Sequence, residues 1–273
     1  MLLGLEGEAG TGKTTLAYSA PLPIVGFQFD LGFERAIYGG KHEELFKGLD
    51  IVVEEYKPDT EPTKVNADIR VYELPLPLQL DTFKVGGVRK LWDYFLIRLA
   101  NALTDTRIRT VVIDTATVAR KVKADAHLEQ LQDDNVKAGQ PVRQQLIQIE
   151  WSRPNEAIRD VYNMAQGTRK NLVAVHHLTD EYKDHITSRG DIEKIVTGRR
   201  RLDGLANTDR LVDCHIRMEK DKSNIKATWV KCGYNLSYEG TSVNNPTWDL
   251  LVQQVEMVAG DRMRLEHRVP TNA

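Results

Sequence analysis

The sequence predicts an α/β fold in which a mostly parallel central sheet is flanked by helices and followed by a C-terminal antiparallel hairpin. Three observations predict it. An apolar run at 1–5, a Gly-rich turn, a short helical stretch and a second apolar run at 23–29 form a strand–helix–strand unit. Two more apolar runs of strand length, 110–113 and 171–175, each follow a stretch with helical potential. Residues 211–218 and 225–231 read as two strands joined by a polar turn, Glu219 to Asn224.

The elements follow in chain order. Met1 to Leu5 is only a strand's length, too short for the apolar core of a signal peptide. The helix begun at Thr14 is expected to run to Ala20 and to stop before Pro21 and Pro23. The run from Pro23 to Phe29 ends at Asp30. Residues 50–80 hold two short apolar runs, at 51–53 and 69–72, around a Pro- and charge-rich loop at 57–66, and read as an excursion from the core. Leu91, Trp92, Phe95, Leu96, Leu99 and Leu103 form one helical stripe over 88–103. Thr110 to Ile113 is a buried strand with Asp114 at its end, and the polar stretch 118–135 is expected to be helical. A break at 139–142 precedes a helix over 154–165, and the apolar strand 171–175 ends at His176 and His177. From Tyr182 to Gly204 the chain is polar with little periodicity. The expected organisation is one domain over 1–259 with an insertion at 50–80, and a charged, flexible tail over 260–273.

Composition narrows the class. The chain is 41% hydrophobic and 28% charged, which fits a folded soluble domain and excludes disorder. A net charge of -2 carries no global signature for nucleic acid, so any such contact must come from a local basic patch. Cys214 and Cys232 are too few for a disulfide framework, and a reducing cytoplasm is expected. No apolar run approaches the roughly 20 residues of a membrane span, so no membrane partner is expected.

Gly7-Glu8-Ala9-Gly10-Thr11-Gly12-Lys13-Thr14 meets the pattern G-x-x-x-x-G-K-[ST]. The glycines let backbone N–H groups wrap phosphates at the start of a helix. Lys13 is placed to reach the β- and γ-phosphates of ATP, and the Thr14 hydroxyl to hold Mg²⁺. Thr15 caps or packs. Because the motif lies between a strand and a helix, as its mechanism requires, ATP and Mg²⁺ are the expected cofactors. Asp114 suits the second, water-mediated Mg²⁺ contact of a Walker-B acid. Thr115 and Ala116 follow it where many motors have a Glu, so the general base must lie elsewhere. Asp30 is favoured and Glu34 is the alternative. Adjacent strand residues face opposite ways, so at most one of His176 and His177 can sense the γ-phosphate, and His177 is preferred.

These features resemble the RecA-like P-loop ATPases, in particular the short, core-only phage group related to phage single-strand annealing recombinases. Four features carry the likeness: the Gly7–Thr14 loop, the acid in Phe29-Asp30-Leu31-Gly32, the Walker-B strand Val111-Val112-Ile113-Asp114-Thr115, and the polar switch Val175-His176-His177. Trp229-Val230-Lys231-Cys232 falls where RecA places lysines that reach a neighbouring subunit's ATP, and only Lys231 is kept. The carboxylate is Asp where the family has Glu, and no N-terminal linking segment precedes the first strand, which argues for a ring or weaker homo-oligomer over a filament. The likeness implies DNA-facing loops at 115–123, with Arg120, Lys121 and Lys123, and at 178–201, with Lys183, Arg189, Lys194, Arg199, Arg200 and Arg201. An arginine of the second loop could instead act as a finger to a neighbour's ATP.

The function implied is a DNA-stimulated ATPase acting on single-stranded DNA in phage-type recombination, annealing or replication, in the host cytoplasm if phage-encoded, with a single-strand-binding protein as a possible partner. A small-molecule kinase with 183–201 as its lid, and a nucleotide-dependent scaffold with little hydrolysis, are the alternatives.

Overall fold

The computed structural model describes residues 1–38, 42–64, 66–79, 84–186, 191–222, 224–260 and 264–268. Arg189, one of the expected basic loop residues, lies outside these. Among the described residues, ten strands form one sheet: β1 (Leu2–Gly7), β2 (Ile24–Gln28), β3 (Ile51–Glu54), β4 (Ile69–Glu73), β5 (Thr110–Asp114), β6 (Asn171–Ile186), β7 (Ile192–Asp203), β8 (Cys214–Asp221), β9 (Asn224–Cys232) and β10 (Ser242–Asn244). The order is β10-β9-β8-β1-β6-β5-β2-β4-β3, with β7 paired to the outer part of β6. All pairs from β8 through β1 to β3 are parallel, while β8–β9, β9–β10 and β6–β7 are antiparallel. The α/β class and the C-terminal antiparallel strands read from the sequence are those observed.

Side chains alternate between two cores because a strand's period is two. Val111 and Ile113 of β5, with Leu172 and Ala174 of β6, face one cluster, whereas Val112, Val173 and Val175 face the other. The first cluster is closed by α3 (Val88–Thr104), α4 (Ala116–Lys137) and α5 (Ser152–Gly167). The second is closed by α1 (Lys13–Tyr18), α2 (Phe33–Ile37) and α6 (Trp248–Ala259). The apolar stripe of α3 lies inward, and Phe95 meets Phe27 edge to face at 5.0 Å. Each such large side chain stabilises the fold by roughly 1.5–3 kcal/mol on burial.

Several expectations need correction. The stretch 50–80 supplies two strands of the sheet, because buried Ile69 and Val71 complete the core beside β2. Strand β6 does not end at His177: it runs on to Ile186, and β7 pairs antiparallel with it, so the polar segment is largely strand where it is described. Both faces of its outer half are solvated, which removes the alternation that would mark strands. The segment 115–123 is no loop. Thr115 Oγ1 accepts from Val118 N at 3.3 Å and starts α4 at Ala116. Part of the expected loose tail is anchored: Arg268 is buried and donates to the carbonyls of Tyr18, at 2.6 Å, and Leu45, at 2.9 Å.

Candidate functional site

The carboxyl ends of β1, β5, β2 and β6 converge on a cleft of about 590 Å³. Its floor is the loop 9–14, and its walls carry Asp30, Arg35, Asp114, His177 and Lys222. The crevice at the carboxyl ends of parallel strands is where ligands bind in open α/β sheets.

The loop is tightly housed. A Cβ on Gly7 would lie 2.4 Å from the carbonyl oxygen of Met218, and one on Gly12 would lie 2.7 Å from Ile225 Cδ1. Both contacts come from the β8–β9 hairpin, and Gly12 also has a left-handed φ of 80°. Below the loop, Glu6 is buried and paired with Arg217, at 2.6 Å, and His215, at 3.1 Å. Burial raises the Glu6 pKa, but the interactions with His215 and Arg217 outweigh it and the net shift is downward.

Lys13 is buried and donates to the carbonyls of Gly7, at 2.8 Å, and Glu8, at 2.7 Å. Desolvation lowers its pKa against the opposing pull of Asp114, Asp30 and Glu8. Thr14 Oγ1 donates to Asp114 Oδ2 at 2.6 Å. Thr15 Oγ1 donates to the Ala36 carbonyl at 3.0 Å, and Thr11 Oγ1 to that of Glu8 at 2.8 Å, so both hydroxyls brace the loop. Gln28 Nε2 donates to Asp114 Oδ2 at 3.1 Å from the other side. Burial, followed by the Asp30 charge, raises the Asp114 pKa to about 6. A carboxylate held this way, beside the Thr14 hydroxyl and facing the loop, suits a hard divalent cation seen through water. The donor set therefore fits Mg²⁺ and a polyphosphate. Among the described residues there is no cluster of three or more His, Cys, Asp or Glu that would hold a metal without one.

The sequence-predicted residues divide into those the fold gathers and those it does not. Asp30 lines the cleft with Lys13 and Asp114, whereas Glu34 is not part of its lining. The Glu34 charge is instead felt by Glu73, whose pKa burial, then Glu34 and Glu55, raise. His177 lines the cleft, with Nε2 3.5 Å from Thr115 Oγ1. His176 faces the core, where Nε2 lies 3.1 Å from the Tyr162 hydroxyl, and burial lowers its pKa to about 3.

The basic candidates are scattered. Arg120 stacks on Trp151 at 4.8 Å and donates to Asn155 Oδ1 at 3.1 Å, and Lys123 lies over Trp92 at 5.2 Å. These two pack α4 against its neighbours, while Lys121 is exposed on α4. Arg199, Arg200 and Arg201 are exposed on β7. Arg200 reaches the phosphate-loop residue Glu8 at 2.6 Å, and also Asp180, at 3.3 Å, and the Leu178 carbonyl, at 3.0 Å. Lys231 sits at the opposite end of the sheet from Gly7, level with Leu3 and Gly4, where its ammonium donates to the carbonyls of Asp209 and Val212, both at 2.7 Å.

Lys220, Lys222 and Ile225 line the cleft and were read only as turn residues and a strand start. Their place follows from the packing of β8 beside β1, which no local pattern encodes. Among the described residues, no helix is long and apolar enough to cross a membrane.

Solved structures with distant similarity include a KaiC-like protein from the hyperthermophilic archaeon Pyrococcus horikoshii OT3, at 12% identity and a TM-score of 0.41, covering 89% of this chain and 83% of that one. Another is an ATPase from the type III secretion system of pathogenic bacteria, at 10% identity and a TM-score of 0.42, covering 80% of this chain and 51% of that one. No protein of curated function matches the sequence significantly. The family model for the AAA domain (AAA_24) matches residues 3–242, from the strand that carries the phosphate loop to the last strand of the sheet, and the chain belongs to this family of P-loop ATPases.

Proposed function

We propose that the chain binds Mg²⁺·ATP in this cleft, hydrolyses it, and uses the nucleotide state to position the β6–β7 hairpin on single-stranded DNA, in recombination, annealing or replication of the phage type. Lys13 and the loop N–H groups hold the phosphates, and Thr14 with Asp114 holds Mg²⁺, through water on the Asp114 side. Bound Mg²⁺ would supply charge neutralisation to the phosphates. Asp30 orients the attacking water, and Glu34 lies outside the cleft lining. His177 senses the γ-phosphate end of the cleft.

The observation that carries this reading is the continuity of β6. The same strand places His177 in the cleft and continues into the hairpin that bears Arg199 to Arg201, and Arg200 ties that hairpin back to Glu8. A change at the phosphate loop therefore has a mechanical route to the basic hairpin. Arg199 and Arg201, with Lys183 and Lys194, supply phosphate contacts, and exposed Tyr182 offers one stacking face. Lys231 faces away from its own cleft and would serve a nucleotide held by a second copy, as in a head-to-tail homo-oligomer.

The test is the anisotropy of a labelled oligothymidylate titrated with protein, with and without a slowly hydrolysed ATP analogue. Tighter binding with the analogue, weakened in Arg199→Ala/Arg201→Ala and steeply reduced by salt, supports the reading. Binding that ignores both nucleotide and the two arginines contradicts it.

A further inference from the structure

The β8–β9 hairpin lies over the phosphate loop, and its role in the cleft is not explained by the motif residues. Met218 and Ala227 are cross-strand partners, as are Lys220 and Ile225, so each pair projects on one face of the hairpin. Residues two apart share a face, which places Met218 and Lys220 on the same side of β8, while Lys222 lies just beyond the strand, in the turn. The hairpin adjoins the loop along its length: the Met218 carbonyl sits against Gly7, Ile225 sits against Gly12, and Lys220 and Lys222 line the cleft. Among the described residues, no hydrogen bond or ion pair engages either ammonium, in contrast to Lys13, Arg200 and Lys231.

Lys222 also breaks a local rule. The strands pair up to Asp221 and Asn224, so Lys222 opens a tight hairpin turn, and its φ is 52°. Turns of this kind favour Gly, Asn or Asp at that position, because a longer side chain strains the left-handed backbone. Lysine is a poor choice for the turn, and a departure of this sort is expected where a side chain serves a site.

We propose that Lys220 and Lys222 are phosphate ligands of the nucleotide. They approach from the β8 flank, while Asp30, Asp114 and His177 approach from the strands on the other side of β1. The inference rests on the nucleotide reading of the cleft and extends it to a second, non-motif pair of cations. The charge balance supports it. The cleft brings Asp30 and Asp114 close to a polyanion, and besides the two hairpin lysines only Lys13 and Arg35 of its described lining carry a fixed positive charge. Two further ammonium groups on exposed lining residues neutralise phosphate charge without demanding fixed geometry.

The test is the dissociation constant of a fluorescent ATP analogue for the full chain, compared with Lys220→Ala/Lys222→Gly, with Lys220→Arg/Lys222→Arg, and with Lys13→Ala as the blank. Glycine suits the turn, so the first variant keeps the hairpin, and an unchanged or raised thermal midpoint without nucleotide checks this. The expected result is a loss of roughly tenfold or more in affinity for the Ala/Gly variant, largely restored in the Arg variant and smaller at high salt. Wild-type binding that is equalled by the folded Ala/Gly variant overturns the inference and leaves the nucleotide reading intact. A wild type that binds no better than Lys13→Ala overturns that reading, and this inference with it.

Discussion

Thr14 and Asp114, 100 residues apart in the chain, meet through a 2.6 Å hydrogen bond at the base of the cleft. This contact exists because β5 and β1 are both parallel neighbours of β6, so that their carboxyl ends open on one crevice. The same carboxylate receives the Gln28 amide, and no solvent reaches it freely. Losing the Thr14 hydroxyl removes one support of a buried acid and, on the proposed reading, one ligand for the metal. Thr14→Ala is expected to raise the Mg²⁺ concentration needed for half-maximal hydrolysis by about tenfold, measured as phosphate release against Mg²⁺ at fixed ATP.

Asp30 and Glu34 separate cleanly by position. Asp30 lines the cleft and Glu34 does not. Asp30→Asn is expected to lower the hydrolysis rate by roughly 100-fold or more while leaving the ATP dissociation constant within a few-fold of wild type. Glu34→Gln should leave both close to wild type. Steady-state rates paired with nucleotide binding decide this, and equal losses in the two variants would contradict the assignment.

The two motif glycines differ in what surrounds them. At Gly7 a methyl group meets a backbone carbonyl at 2.4 Å, which cannot swing away. At Gly12 it meets the end of the flexible Ile225 side chain at 2.7 Å. Gly7→Ala is expected to cost about 2 kcal/mol or more of stability, and Gly12→Ala about 1 kcal/mol, the latter mainly from its backbone angle. Urea unfolding of the two variants without nucleotide tests the order.

His176 makes the fold acid-sensitive. Its folded pKa of about 3 lies below its ordinary 6.5, because it is buried and His215 adds a nearby positive charge. Above pH 6.5 neither folded nor unfolded chain protonates it, and its full contribution is present. Between about 6.5 and 3 only the unfolded chain binds the proton, so stability falls by up to about 1.4 kcal/mol per pH unit. His176→Gln should flatten the slope of stability against pH in that window, whatever it does to the value at neutral pH.

Much of the site could be read from residues alone. That Lys13, Thr14 and Asp114 meet in one cleft was legible because the loop pattern and the acid at a strand end mark where each would lie. The opposite directions of His176 and His177, one to the core and one to the cleft, followed from strand alternation, which holds in this part of β6. The outer part of β6 and β7 was not legible. Its residues are solvated on both faces, so the charges that mark it as exposed also hide its period. The helix start at Ala116 depended on the Thr115 cap, a single hydrogen bond that competes with a loop of the same composition. Arg120 and Lys123 looked like free cations until Trp151 and Trp92, distant in sequence, were packed against them. The lysines of the β8–β9 turn enter the cleft only through sheet order, which is a tertiary property.

The most direct test of the central claim is the rate of phosphate release from ATP, with and without single-stranded DNA, using Lys13→Ala as the blank. The account predicts release above the blank, stimulated by DNA in wild type and much less in Arg199→Ala/Arg201→Ala. Release that equals the blank under both conditions, or that is indifferent to DNA in wild type and variant alike, would contradict it.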